Sequence, residues 1–188
     1  MNKAILAGVL IGIGDIAVMS CENKVLSAFL FSVGLLSIIH LGLPLYTGRI
    51  GKVLKNKNFY ECFKILFFNI VGIVSTCLTF VVLDKGNGNT IMNIANNKFT
   101  HGYISLFTAG VLCNVLIHIA VCAKNDIITI LCVMGFILCG FEHSIADAGY
   151  AFMTFKAIHL IGWVCVLLGN TVGGIVTETL LNERGTEK

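Results

Sequence analysis

The sequence predicts an all-α polytopic membrane protein with six transmembrane helices, arranged as two inverted three-helix repeats whose second and fifth helices are broken. Three observations support this fold class: the composition, the number of apolar runs and the similarity between the two halves. The 188-residue chain is 56% hydrophobic and 12% charged, with a mean hydropathy of +0.89. A soluble domain carries roughly twice that charged fraction.

Six apolar runs can each cross a bilayer, since a spanning helix needs about 20 mostly apolar residues. The runs are Ala4–Cys21, Val25–Tyr46, Phe59–Leu83, Tyr103–Ala123, Ile127–Phe155 and Ala157–Leu181. Little sequence remains for a soluble module, so residues 1–188 are expected to form a single transmembrane domain. The first run follows Lys3 without a clear cleavage site, so we expect a retained span and not a signal peptide.

The distribution of basic residues predicts the orientation of the chain in the membrane. An even number of spans puts both termini on the same side. The side of the termini receives nine basic residues: Lys3, Arg49, Lys52, Lys55, Lys57, Lys64, Lys124, Arg184 and Lys188. The other side receives four: Lys24, Lys85, Lys98 and Lys156. The positive-inside rule therefore predicts cytoplasmic termini in the cell membrane.

The two halves share sequence at a nearly constant offset. "AGVLIGIGDIA" from Ala7 resembles "AGVLCNVLIHIA" from Ala109, 102 residues later. "NIVGIV" from Asn69 resembles "NTVGGIV" from Asn170, 101 residues later. Three spans per half mean that the second half enters the membrane inverted, as in many transporters. The repeats are residues 4–83 and 103–181.

The middle span of each half is interrupted. The second contains "HLGLPLYTG" (His40–Gly48) and the fifth contains "GFEHSIADAGY" (Gly140–Tyr150). When the offset of 102 residues is applied, the position of Pro44 in the first half falls near Ala146 in the second. Paired interruptions in corresponding spans point to a transport site, because non-helical backbone at membrane depth must be buried or line a cavity.

Several classes of function are disfavoured. A net charge of +3 gives no reason to expect a nucleic-acid partner. The eight cysteines fall mostly within spans and form no Cys-x-x-Cys pair, so neither a metal site nor a disulfide framework is expected. The histidines form no His-x-x-His or Glu-x-x-His cluster, which argues against a metal or haem enzyme and predicts no cofactor.

Five motifs resemble those of the formate/nitrite transporter family. "GFEHSIAD" from Gly140 is similar to the family's "GFEHSIAN", and "LYTG" from Leu45 to its second-span "LFT" segment. "NIVG", "AGVLCNVLIHIAV" and "LGNTVGG" resemble the motifs of its third, fourth and sixth spans. The resemblance covers all but the first span, in the family's order, and identifies a short, divergent member with little terminal sequence for gating.

The resemblance implies a homopentamer with an aquaporin-like architecture. Each protomer would have its own pore across the lipid bilayer, for small monovalent anions or their neutral weak acids. It also places a central histidine at His143, with the Thr47 hydroxyl facing it across the pore. A neutral imidazole can donate a hydrogen bond to an anion or exchange a proton with it.

Four polar residues are expected to tune this centre. By resemblance, Lys98 and Asn114 match the family's outer lysine and fourth-span asparagine, so Lys98 either attracts anions or is an ordinary loop charge. Glu142 is expected to point away from His143 and hold the broken span by accepting backbone N–H groups. Asp147 replaces the family's usual Asn on the His143 side. There it would stabilise a protonated imidazole or, when itself protonated, donate as Asn does.

Two apolar constrictions are carried over from the family, with simple helix packing as the alternative. The inner constriction would comprise Phe31, Leu35 and Phe136, and the outer one Leu45, Tyr46 and Ile117. Asp15 and His118 occupy nearly equivalent places in the two halves. They are interpreted as a structural pair or a second proton site, with no choice between the two.

The expected function is a channel or transporter for formate first, then nitrite or hydrosulfide. A pore for a small neutral solute is the alternative, because Asp147 departs from the family pattern. A membrane-bound enzyme is less favoured.

Overall fold

The computed structural model describes residues 1–83 and 89–183, and in these ranges all regular structure is helical. The α-helices are α1 (Asn2–Ser20), α2 (Lys24–His40), α3 (Tyr46–Arg49), α4 (Val53–Asn56), α5 (Phe59–Leu83), α6 (Asn89–Phe99), α7 (Tyr103–Ala123), α8 (Asp126–Leu138), α9 (Ser144–Thr154) and α10 (Ala157–Glu183). A 3₁₀ turn, Ile50–Lys52, joins α3 to α4. Lys85, Arg184 and Lys188, which contribute to the expected orientation, lie outside the described residues.

Four of these helices, α1, α5, α7 and α10, are long and apolar enough to cross a membrane. The shorter apolar helices α2 and α8 have 17 and 13 residues. Each is followed by a non-helical segment, residues 41–45 or 139–143, and then by a second short helix. These segments overlap the two interruptions seen in the sequence.

Asn69 on α5 holds the first break. Its side-chain oxygen accepts the Tyr46 backbone N–H at 2.9 Å, at the start of α3. Its NH₂ group donates to the carbonyl oxygens of Pro44 at 3.1 Å and Ala4 at 2.7 Å. One buried amide therefore satisfies the two groups of the break, the Tyr46 N–H and the Pro44 carbonyl, which would otherwise lack partners where water is absent. Its third bond ties the break to α1.

Asn170 on α10 holds the second break in the same way. Its side-chain oxygen accepts the Ser144 backbone N–H at 2.8 Å, at the start of α9. Its NH₂ group donates to the carbonyl oxygens of Glu142 at 3.0 Å and Gly110 at 2.8 Å. The two halves thus fix their broken helices with matching sets of three hydrogen bonds.

Glycines allow the long helices to approach closely enough for these contacts. A Cβ atom at Gly72 on α5 would lie 2.1 Å from the Ile5 carbonyl oxygen on α1. A Cβ at Gly173 on α10 would lie 2.3 Å from the Val111 carbonyl oxygen on α7. Only glycine fits at such distances, as is usual where membrane helices pack backbone to backbone.

Candidate functional site

A buried hydrogen bond between the two broken segments forms the centre of the site. His143 is the N-cap of α9, and its Nδ1 accepts the Ala146 backbone N–H at 3.3 Å. Its Nε2 lies 3.0 Å from the Thr47 hydroxyl oxygen at the start of the other broken helix. Since Nδ1 acts as an acceptor, Nε2 carries the hydrogen and donates it to Thr47. The imidazole is therefore neutral in this arrangement, and the Thr47 hydroxyl keeps its own proton free to donate.

Two aromatic rings flank this centre on one side. The Phe136 ring stacks on the His143 ring with centroids 5.9 Å apart. The Phe31 ring meets Phe136 edge-on, with centroids 5.8 Å apart. The imidazole is consequently held between a hydroxyl group and an apolar wall.

A cavity of about 170 Å³ lies on the side of Lys98. Its lining includes the rings of Phe31, Phe136 and His143 together with the polar side chains Asp15, Lys98, Asp147 and Tyr150. A second cavity, of about 330 Å³, is lined in part by Leu35, Leu45, Arg49, Lys52 and Lys124. The first cavity is rich in acids, whereas the second carries basic residues of the polar loops.

The structure groups the constriction residues differently from the expectation. The motif spacing assigns Phe31 and Phe136 to the inner constriction, but both line the cavity that contains Lys98, the residue expected at the outer mouth. Leu45, assigned to the outer constriction, lines the cavity that contains the basic loop residues. Leu35, assigned to the inner constriction with Phe31, lines the same cavity as Leu45. The reason is chain direction: α2 reaches Phe31 one turn before Leu35 on its way to the break.

The other two constriction residues, Tyr46 and Ile117, are buried among the helices. Tyr46 is buried, and its hydroxyl group lies 2.8 Å from the Thr171 hydroxyl oxygen on α10. Ile117 is buried in the middle of α7. Among the described residues, neither belongs to the lining of the two cavities above.

Lys98 lies within an ion-pair cluster. Its ammonium group contacts the Glu142 carboxylate and lies 3.2 Å from Asp147 Oδ1. Its side chain is only 28% exposed, so it is not a free loop charge. The Tyr150 ring lies 5.9 Å below the ammonium group.

The expected roles of Glu142 and Asp147 therefore need correction. The Glu142 carboxylate binds Lys98 instead of backbone N–H groups, and Asn170 holds the break. The Asp147 carboxylate also turns to Lys98, and no described hydrogen bond joins it to His143. The sequence shows no local sign of this cluster, because Lys98 precedes Glu142 by 44 residues. The one available signal is that buried acids require a partner.

Asn114 lies in another part of the interior. Its NH₂ group donates to the Asn170 carbonyl oxygen at 2.6 Å, while its side-chain oxygen is buried without a partner. It therefore ties α7 to α10 instead of contacting Lys98.

Asp15 and His118 do not contact each other; each joins a different cluster. The Asp15 carboxylate on α1 faces the Tyr150 side chain. His118 Nε2 on α7 lies 2.7 Å from the Glu178 carboxylate on α10. Although Asp15 and His118 occupy equivalent positions in the two halves, their side chains therefore have different partners.

One group of side chains has metal-ligand spacing among the described residues. The ligand atoms of His118, Cys122 and Glu178 lie within 4.8 Å of one another. His118 already binds one Glu178 oxygen, and Asn182 donates to the other at 3.0 Å. These hydrogen bonds provide a direct structural role for the cluster as a contact between α7 and α10.

Comparisons with known proteins agree with this architecture. The model of the formate/nitrite transporter family matches residues 1–182. A solved structure described as a pentameric formate channel with formate bound is 25% identical, with a TM-score of 0.79, and the match covers 99% of this chain and 96% of that one. Another, described as an FNT family ion channel, is 22% identical with a TM-score of 0.83, covering 98% and 88% of the two chains, and supports the fold alone.

The search of curated proteins found no match. The family match nevertheless extends over nearly the whole chain, and the similar solved structures are channels and not enzymes. Together with the long apolar helices, this shows a multi-pass membrane transport protein that belongs to the formate/nitrite transporter family.

Proposed function

We propose that this protein is a channel for small monovalent anions or their neutral weak acids, with formate the first substrate to test and nitrite and hydrosulfide next. The observation that carries this proposal is the buried pair of His143 and Thr47, next to a wall of phenyl rings. The formate channel among the similar structures supports the choice of formate.

The geometry explains why a small anion or acid could pass where a hydrated metal ion could not. Phe31 and Phe136 offer no hydrogen bonds to replace a lost hydration shell, so they oppose hydrated ions. At the next step the Thr47 hydroxyl can donate to the solute, because His143 satisfies its oxygen. A neutral acid loses far less solvation than its anion, so it crosses this apolar region at lower cost.

We further propose six spans in two inverted repeats, residues 4–83 and 103–181. Helices α2 and α3 would form one broken span, and α8 and α9 the other. The matching hydrogen bonds of Asn69 and Asn170 support this pairing of the halves. With cytoplasmic termini in the cell membrane, the cavity of Leu45 and Lys52 would open inward and the cavity of Lys98 outward.

We also propose that the protein assembles as a homopentamer. It rests on the similar formate channel, which is described as pentameric. Mass measurement of the protein in mild detergent should give five copies, and a monomer or dimer would contradict it.

The test of the site is formate entry into liposomes containing purified protein. Thr47→Val keeps the side-chain shape and removes the hydroxyl, so formate flux should fall about tenfold, equivalent to roughly 1.4 kcal/mol. His143→Ala should reduce it at least as far. Thr79→Val is the matched control, because this exposed hydroxyl binds only its own helix. Normal formate flux in both site variants would exclude the His143–Thr47 pair as the centre.

A small neutral solute is the second candidate. The specific observation is that Glu142 and Asp147 both contact Lys98, so the cavity offers no free positive charge to an anion. Uncharged solute entry that exceeds formate entry in the same liposomes would favour this alternative.

A further inference from the structure

Two carboxylate oxygens in the Lys98 cavity have no hydrogen-bond partner. They are Asp15 Oδ2 on α1 and Asp147 Oδ2 on α9, and both side chains are at least 97% buried and line the cavity of about 170 Å³. An unpaired negative charge is costly at membrane depth. An oxygen that instead carries a proton becomes a hydrogen-bond donor in the wall of the cavity.

The charges around the cavity do not balance unless protons are bound. Among the described residues, Lys98 is the one positively charged side chain in this cluster, whereas Asp15, Glu142 and Asp147 are three acids. The other titratable groups facing them are His143, Tyr150 on α9, Cys77 on α5 and Cys113 on α7. None of these adds positive charge, because the His143 ring is neutral in the arrangement described above. Like charges in one buried site cannot all ionise, so protons must be shared within the cluster.

His143 is poorly placed to supply a proton to a passing anion. Its Nδ1 is occupied by the Ala146 N–H, so protonation there would break the cap of α9. Its Nε2 hydrogen is directed to Thr47. A proton that converts an anion into a neutral acid must therefore come from another group in the cavity.

We propose that Asp15 and Asp147 form a proton-donating site that converts an entering weak-acid anion into its neutral acid before it passes Phe31 and Phe136. In this step the carboxyl O–H bond breaks as an O–H bond forms on the anion. The neutral acid moves on and leaves a carboxylate. When that carboxylate is Asp147, the Lys98 ammonium 3.2 Å away stabilises it.

The cycle closes when a proton from the solution on the entry side passes through water at the cavity mouth to the carboxylate. Each anion therefore crosses with one proton, and no net charge moves. This inference rests on the proposed weak-acid function and adds to it the source of the proton. It assigns a role to Asp15 and to the departure from Asn at position 147.

The test combines formate entry with lumenal pH in proteoliposomes, after subtraction of entry into protein-free liposomes. In the native protein, formate entry should acidify the lumen by one proton per formate and should not depend on an imposed membrane potential. Asp15→Asn combined with Asp147→Asn keeps both shapes and removes both donors, so proton-coupled entry should fall about tenfold or more. Asp126→Asn is the control, because this exposed acid pairs with His40 far from the cavity.

Each outcome separates this inference from the proposed function. An unchanged rate and proton ratio in the double variant, with normal native flux, overturns the donor site alone. Failure of the native protein to pass formate overturns the proposed function.

Infrared spectroscopy tests whether Asp15 and Asp147 carry protons, even if the double variant does not fold. The native protein at neutral pH should show the C=O stretch of protonated carboxyl groups buried from solvent, and Asp15→Asn and Asp147→Asn should each weaken it. Absence of this band from the native protein overturns the proposal.

Discussion

At the scale of single residues, Lys98 determines the charge of the cavity. Its ammonium group contacts two buried carboxylates, Glu142 and Asp147, which come from the break and from α9. Desolvation of such a cluster is expensive, and removal of one partner leaves charges without compensation. Lys98 therefore holds α6 against α9 as well as balancing the charge of the acids.

Replacement of Lys98 by Met should destabilise the protein by about 3–5 kcal/mol, because the buried acids around it lose their one compensating positive charge. Thermal unfolding in detergent measures the loss. Asp147→Asn should cost less, since Lys98 then keeps Glu142, and the double variant should be more stable than Lys98→Met alone. The defect of Lys98→Met should shrink at acidic pH, where protonated carboxyls carry no charge. A pH-independent defect, or an additive double variant, would show that the pairing with Asp147 contributes little.

At the scale of helices, two asparagines make the broken spans possible. Asn69 and Asn170 each use both ends of the amide to bind two backbone groups of a break and one backbone carbonyl of a neighbouring helix, α1 or α7. Without such an amide, the start of α3 or α9 and the preceding carbonyl would be unsatisfied inside the membrane. The breaks in turn bring Thr47 and His143 within hydrogen-bonding distance.

Asn69→Leu and Asn170→Leu test this arrangement, since Leu has a similar size and no hydrogen-bonding group. Each should lower stability by several kcal/mol, because each lost backbone hydrogen bond costs about 1–3 kcal/mol when its partner stays buried. Formate flux should also fall, because the hydrogen bonds that hold the helix starts next to Thr47 and His143 are lost. Asn58→Leu is the control, because its bonds to Glu61 are exposed. Full stability of both interior variants would mean that the breaks are held by packing alone.

Local sequence predicts where the helices break, whereas contacts between distant residues have to come from elsewhere. The interrupted segments around Pro44 and Ser144 are visible in a few adjacent letters. The expectation that Thr47 faces His143, 96 residues away, comes only from the family resemblance. The partners of Lys98 depend on how α6 folds back onto α9, which no local pattern encodes. The different grouping of the constriction residues has a similar origin, since the spacing of a motif does not show which of its residues line the same cavity.

At the scale of the whole molecule, the number of spans depends on α2 and α8. Only four helices in the described ranges are long enough to cross a membrane alone. If each short apolar helix completes a span with the helix after its break, the chain crosses six times. If α2 and α8 turn back, it crosses four times, and the loop before α5 changes sides relative to the N-terminus.

Single cysteines at three exposed positions distinguish these topologies: Lys3→Cys, Lys55→Cys and His101→Cys. Six spans place positions 3 and 55 on one side and position 101 on the other. With cytoplasmic termini, a membrane-impermeant thiol reagent should label His101→Cys in intact cells, and the other two only after permeabilisation. The native chain provides the background from its eight cysteines, of which Cys139 is exposed. Labelling of positions 3 and 55 from opposite sides would establish four spans, and labelling of 3 and 55 together from outside would reverse the orientation while keeping six.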